Sequence, residues 1–148
     1  MSDRSTAGYA GDISASEAFS ILQEDSASVL VDVRTKAEWN YVGAPDLSSL
    51  GKQTLLIEWQ EFPSMNLNQN FTATLEKALH DQGVAADAPI LFLCRSGARS
   101  RAAAIALTQA GHTRCFNIAD GFEGPLDDER HRGAIGGWKA QGLPWSQS

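Results

Sequence analysis

Two stretches of the chain are continuously rather than alternately apolar, Val29-Leu30-Val31-Asp32-Val33, broken only by Asp32, and Pro89-Ile90-Leu91-Phe92-Leu93. They are short for buried helices and lack the alternation of a half-exposed strand, so they predict strands covered on both faces. Thr54-Leu55-Leu56-Ile57 and Cys115-Phe116-Asn117-Ile118 predict two more. Helix signals fall around them. Ser14-Ala15-Ser16-Glu17 is a capping box, in which a hydroxyl accepts from the third residue's amide and that residue's carboxylate reaches back. It opens a short helix with Ala18, Ile21 and Leu22 inward. Thr35-Lys36-Ala37-Glu38 is a second box, starting a helix through Trp39 and Tyr41 that ends at Gly43-Ala44-Pro45-Asp46. A long loop with Pro63 and three asparagines follows the second strand candidate. Residues 71–82 are amphipathic, with Phe71, Leu75, Ala78 and Leu79 on one side and Gly83 closing. Residues 101–110 predict an alanine-rich helix closed by Gly111, and one short helix is expected around Trp138. Strands alternating with helices predict an α/β fold in three layers, a mostly parallel sheet of about five strands flanked by helices. Residues 1–8 read as a flexible N-terminus and residues 9–148 as a single domain.

One connection is chemically loaded. Cys94 ends the second apolar run, and Arg95, Ser96, Gly97, Ala98, Arg99 and Ser100 lie between it and the alanine-rich helix. The loop therefore wraps a helix N-terminus, whose amides have no intrahelical acceptor and whose dipole is positive. Gly97 lets the loop curl, and two arginines add charge. Such a site stabilises anions, and the nucleophilic form of a cysteine is the anion. The same amides suit a persulfide and an anionic donor, with no need of a metal or cofactor. This reading requires that Cys94 be reachable.

The chain here resembles the rhodanese (thiosulfate sulfurtransferase) family. The likeness rests on Val31-Asp32-Val33-Arg34 with Glu38-Trp39 following, the loop 94–100, Asp120-Gly121-Phe122, Gly137-Trp138-Lys139 and Gly142-Leu143-Pro144-Trp145, and spans about residues 10 to 145. It implies a rhodanese-like fold and a sulfurtransferase. Cys94 is then the sulfur carrier, residues 95–99 its amide ring, and Asp32 and Arg34 supports of the loop. An arginine directly after the cysteine resembles members that use thiosulfate. The chain departs from the usual Gly-His and Pro-Gly-Ala pattern, carrying Tyr41-Val42-Gly43-Ala44-Pro45 instead. The expected partners are a small anionic sulfur donor and a thiol or protein-cysteine acceptor. The alternatives are a persulfide-carrying or regulatory module with a dedicated protein partner, and a cysteine-dependent phosphatase or arsenate reductase. Phosphatase loops of this kind place five residues between cysteine and arginine, whereas four separate Cys94 from Arg99.

Composition narrows the partners further. Eighteen acidic against twelve basic residues give a formal charge of -6, which argues against nucleic acid. No apolar run is long enough to span a bilayer and the N-terminus lacks the apolar core of a secretory signal, so no membrane role and a cytoplasmic location are expected. Cys115 reads as packing, and His80, His112 and His131 have no metal-ligand spacing. Ligands of open parallel sheets sit at the carboxyl ends of strands, which brings Arg34, Glu58, Trp59, Cys94 and Asp120 towards one mouth. Trp59 and Asp120 are candidate pocket walls there. The run 127–132 reads as a solvated loop, whose Arg130, His131 and Arg132 are candidates for the active-site entrance.

Overall fold

The computed structural model describes residues 8–61, 63–124, 128 and 136–146. In chain order the elements are β1 (Gly11–Ile13), α1 (Ala15–Glu24), β2 (Val29–Asp32), α2 (Lys36–Tyr41) and β3 (Ala44–Pro45). A 3-10 turn (Ser48–Leu50), β4 (Leu55–Leu56), β5 (Gln60–Glu61), β6 (Asn66–Leu67) and α3 (Phe71–Asp81) come next. The chain closes with β7 (Ile90–Leu93), α4 (Ala98–Gln109), β8 (Cys115–Ile118) and β9 (Trp145–Ser146). The main sheet has five parallel strands in the order β1-β8-β7-β2-β4, the α/β architecture expected from the alternating pattern.

The two mainly apolar runs form neighbouring interior strands, paired Val29 with Ile90 through Asp32 with Leu93, and every residue of both is buried. Strand alternation assigns their side chains to two cores. Val29, Val31, Val33, Ile90, Phe92 and Cys94 face Phe71, Leu75 and Leu79 of α3 and Ala103, Ala104 and Leu107 of α4. Leu30, Leu91 and Leu93 face Ala18 and Leu22 of α1, with Phe122 and Trp138. The sulfur of Cys94 is thus turned towards α4 by the same period of two that buries Ile90 and Phe92.

Both capping boxes form as expected, Ser14 with Glu17 and Thr35 with Glu38. Three expectations need correction. The helix expected over 101–110 begins earlier, at Ala98, because its N-cap is Gly97, which carries no side-chain signal. The segment around Trp138 forms turns rather than a helix, and the Trp138 indole donates to the Pro144 carbonyl at 2.7 Å. The loop around Pro63 contains a small antiparallel hairpin, β5 with β6. Among the described residues no helix is long and apolar enough to cross a membrane.

Candidate active site

All four helices follow strands of the parallel sheet and begin at its carboxyl end; α3, like α4, has no side-chain cap, and the N-termini of α1, α2 and α4 are treated differently. The first amide of α1, on Ala15, donates to the Asp120 carboxylate at 2.9 Å, and Ser14 caps the next turn. The first amide of α2, on Lys36, donates to Glu58 at 2.8 Å, and Thr35 does the capping. α4 has no side-chain cap at all. Its Gly97 amide donates to the Cys94 sulfur at 3.1 Å, and the Ser100 hydroxyl lies 3.2 Å from the same sulfur. The acceptor that completes this helix end is the Cys94 sulfur, where α1 and α2 use carboxylates.

Two glycines permit the geometry. Gly97 has φ 108°, and a Cβ on it would lie 2.4 Å from the Ala119 carbonyl oxygen. Gly121 has φ 66°, and its Cβ would meet the Arg95 carbonyl oxygen at 2.4 Å. The loop and the turn after β8 are clasped by the Phe122 amide on the Cys94 carbonyl, 2.8 Å, and the Glu123 amide on that of Arg95, 3.0 Å.

Behind the sulfur runs a polar chain that the sequence reading missed. Ser100 pairs with the Asn117 side-chain oxygen at 2.5 Å, and the Asn117 amide donates to Asp12 at 3.0 Å. Asn117 is polar within an otherwise apolar strand, and that oddity was the available signal. Ser100 has one proton to give, so Asn117 and Cys94 compete for it.

In front of the sulfur, Arg99 grips Glu38 with both nitrogens, 2.7 and 3.0 Å. Burial alone would hinder ionisation of Glu38, but the Arg99 hydrogen bond, the Thr35 amide and both nearby arginines outweigh it and hold its pKa at about 2. Burial likewise disfavours the Arg99 cation, yet the bonds and charge of Glu38, with Cys94 and Asp32 near, keep it above its ordinary value. A carboxylate whose folded pKa is depressed stabilises the fold above its ordinary value and loses that contribution as pH falls. Glu38→Gln should therefore flatten the fall in melting temperature between pH 4.5 and pH 2, compared with wild type in the same thermal scans. Parallel wild-type and variant curves across that window would refute the pairing.

The remaining candidates separate by position. Arg34 and Asp32 are wholly buried and bonded to each other at 2.7 Å, with Arg34 also donating to the Gly43 carbonyl at 2.6 Å and lying over the Phe122 ring. They brace the turn that clasps the loop and do not touch the sulfur. A cavity of about 420 Å³ lies over the loop, lined by Glu38, Val42, Met65, Arg95, Arg99 and Glu123. Trp59 and Asp120 are not among its walls. Trp59 packs edge-on against Phe71, and Asp120 is occupied by the amides of Ala15 and Gly137. Cys94 is only 1% exposed. Of the loop, Arg95 and Ala98 are exposed, Ser96 and Arg99 half-buried, and Gly97 and Ser100 buried. Arg130, His131 and Arg132 lie outside the described residues.

Cys115 is fully buried, and burial pushes its thiol up to about 11. A larger cavity, about 590 Å³, opens at the opposite end of the sheet around Lys52. The ammonium there is taken up by the carbonyls of Asp25, Ser26 and Ser28, leaving no nucleophile or acid for chemistry.

Comparison with known proteins places the molecule further. The family model described as the STR4 middle domain matches residues 10–148. The uncharacterized protein RP600 homolog of Rickettsia rickettsii is 38% identical over 133 residues, covering 90% of this chain and 94% of that protein. The crystal structure of Rv0390 from M. tuberculosis is 48% identical with a TM-score of 0.83, covering 95% of this chain and 99% of that one. Two remoter structures share the fold. They are the polysulfide-sulfur transferase homodimer of Wolinella succinogenes (20% identity, TM-score 0.57, 99% of this chain and 88% of that one) and a rhodanese-like domain protein of Staphylococcus aureus (18%, 0.51, 94% and 99%). The fold is rhodanese-like.

Proposed function

The chain belongs to the STR4 middle domain family, and on that premise we propose that it is a sulfurtransferase that carries sulfane sulfur on Cys94. The observation that carries the reading is the uncapped N-terminus of α4, where the Gly97 amide and the Ser100 hydroxyl converge on the Cys94 sulfur. Donors fixed before reaction stabilise the sulfur anion and then the persulfide that replaces it. In the cycle the Cys94 thiolate attacks the outer sulfur of a donor such as thiosulfate. The donor S–S bond breaks, sulfite leaves with the electron pair, and Cys94 holds a persulfide. A thiol or protein-cysteine acceptor then takes the terminal sulfur and the Cys94 thiolate returns.

Ring size supports sulfur over phosphate. With α4 starting at Ala98, only Arg95, Ser96 and Gly97 separate the cysteine from the helix. That ring suits one sulfur atom rather than a tetrahedral oxyanion. The guanidinium of exposed Arg95, at the cavity and without a hydrogen bond or ion pair among the described residues, is the cation available to an incoming anion. Because Cys94 is covered, donor capture needs the loop to loosen over it. Intact mass spectrometry of the full chain after thiosulfate treatment should show one added sulfur per molecule, lost again on adding a thiol. No uptake, together with no alkylation of Cys94 by iodoacetamide at neutral pH, would overturn the proposal.

A further inference from the structure

The walls of the cavity over the loop narrow the donor. Among the described residues it is lined by two guanidinium groups, two carboxylates and two apolar side chains. Among these described residues the charges balance, which is a poor arrangement for a compact dianion. Arg99 already has both of its forked nitrogens on Glu38. Glu38 is further bonded by the Thr35 amide and hydroxyl, each at 3.1 Å, so an incoming dianion would have to displace a carboxylate tied from two sides. Arg95 is left for one anionic charge. Val42 and Met65 are its apolar lining. Met65 is the one non-glycine residue with positive φ among the described residues, at 61°. Backbone in that region is costly for a side chain with a Cβ and persists where the surroundings impose it, as at ligand-contacting positions. Here the Met65 amide is tied to Glu61 at 2.6 Å and its carbonyl to the Gln60 side chain at 3.2 Å, which fixes the hairpin turn. A volume of about 420 Å³ is in the range of sites for small organic ligands.

We infer that the preferred donor is an organic monoanion, a persulfide or thiosulfonate bearing an apolar substituent, with Glu38 setting the charge preference and Met65 contacting the substituent. This rests on the sulfurtransferase reading and names its substrate class. For a persulfide anion, the Cys94 thiolate and R–S–S⁻ give Cys94–S–S⁻ and R–S⁻. The donor S–S bond breaks as the new one forms, the thiolate leaves with the electron pair, and the negative charge of the donor stays on the transferred sulfur. For a thiosulfonate the same attack releases a sulfinate.

The test uses thiosulfate, methanethiosulfonate and benzenethiosulfonate as donors to the full chain. Cys94 persulfide formation is followed by quenched intact mass spectrometry at several donor concentrations. Each rate is divided by that donor's rate with a free thiolate, which removes differences between leaving groups. Wild type should then favour benzenethiosulfonate over thiosulfate by about tenfold or more, the scale of one uncompensated charge plus one apolar contact at a partly wet site. Met65→Ala should bring benzenethiosulfonate down towards methanethiosulfonate and leave thiosulfate unchanged. Glu38→Gln, which still fills the capping box, should lower the half-saturating thiosulfate concentration roughly tenfold with little effect on the monoanions. Normalised thiosulfate rates that equal or exceed the others, or variants that move all three donors together, would overturn this inference alone. Sulfur uptake from none of the three would overturn the sulfurtransferase reading with it.

Discussion

Cys94→Ser is expected to take up no sulfur from any sulfane donor, with transfer reduced at least about a thousandfold, while its thermal unfolding stays close to wild type. The loss follows from chemistry. A serine hydroxyl remains protonated at neutral pH, and its oxygen cannot form the S–S bond that stores the cargo. The retained fold follows from geometry. Serine is slightly smaller, and its oxygen can accept the Gly97 amide that now points at sulfur. The Gly97 amide keeps an acceptor at the helix end, oxygen in place of sulfur. The second cysteine cannot substitute. Burial holds the Cys115 thiol at about 11, so only about one molecule in ten thousand carries that thiolate at neutral pH. Persulfide found on Cys115 in the variant, or undiminished transfer, would remove Cys94 from the mechanism. Collapse of the fold would instead make the sulfur a structural atom, which Cys94→Ala distinguishes by leaving the Gly97 amide without an acceptor.

How much of this was legible in the sequence depended on how far each feature is local. The interior strands β2 and β7 announced themselves because strands covered on both faces need continuous apolar residues. The capping boxes were readable because both partners lie within four residues, and each forms. Of the edge strands, Leu55–Leu56 was read within Thr54–Ile57, but Gly11–Ile13 was not, being too short to show a period and held by pairing with Phe116–Ile118. The start of α4 was placed late because Gly97 caps it through backbone conformation and the sulfur of Cys94, neither of which is a side-chain cap signal. Convergence of Arg34, Glu58, Trp59, Cys94 and Asp120 at the strand ends was expected on topological grounds. Position does not determine which way a side chain is used, and Glu58 and Asp120 serve the amides of neighbouring helices. Glu38 was visible as a cap, but its second role against Arg99 joins residues 61 positions apart and needed the fold.

Arg34→Ala should cost about 3–5 kcal/mol of stability, or a melting temperature lower by on the order of 10 °C. The reason lies in what remains behind. Asp32 and Arg34 are both 0% exposed, and the guanidinium meets the carboxylate through two of its nitrogens. Removing the cation strands a carboxylate at the carboxyl end of β2, between β4 and β7, where it is 0% exposed. Asp32→Ala should be comparably harmful, since a buried guanidinium loses its counter-ion and one of its nitrogens already has no hydrogen-bond partner. Replacing both together, as Asp32→Leu with Arg34→Met, removes both charges and should cost clearly less than the two single substitutions added. Denaturant unfolding of the four proteins gives the coupling directly. Arg34 also holds the Gly43 carbonyl and lies on the Phe122 ring, and the Phe122 amide holds the carbonyl of Cys94. The doubly apolar variant should therefore regain stability without regaining sulfur uptake, because the clasp on the loop loses its inner support. If stability and uptake return together, the ion pair is a packing element only; if the single and double costs simply add, the two charges do not act as a pair.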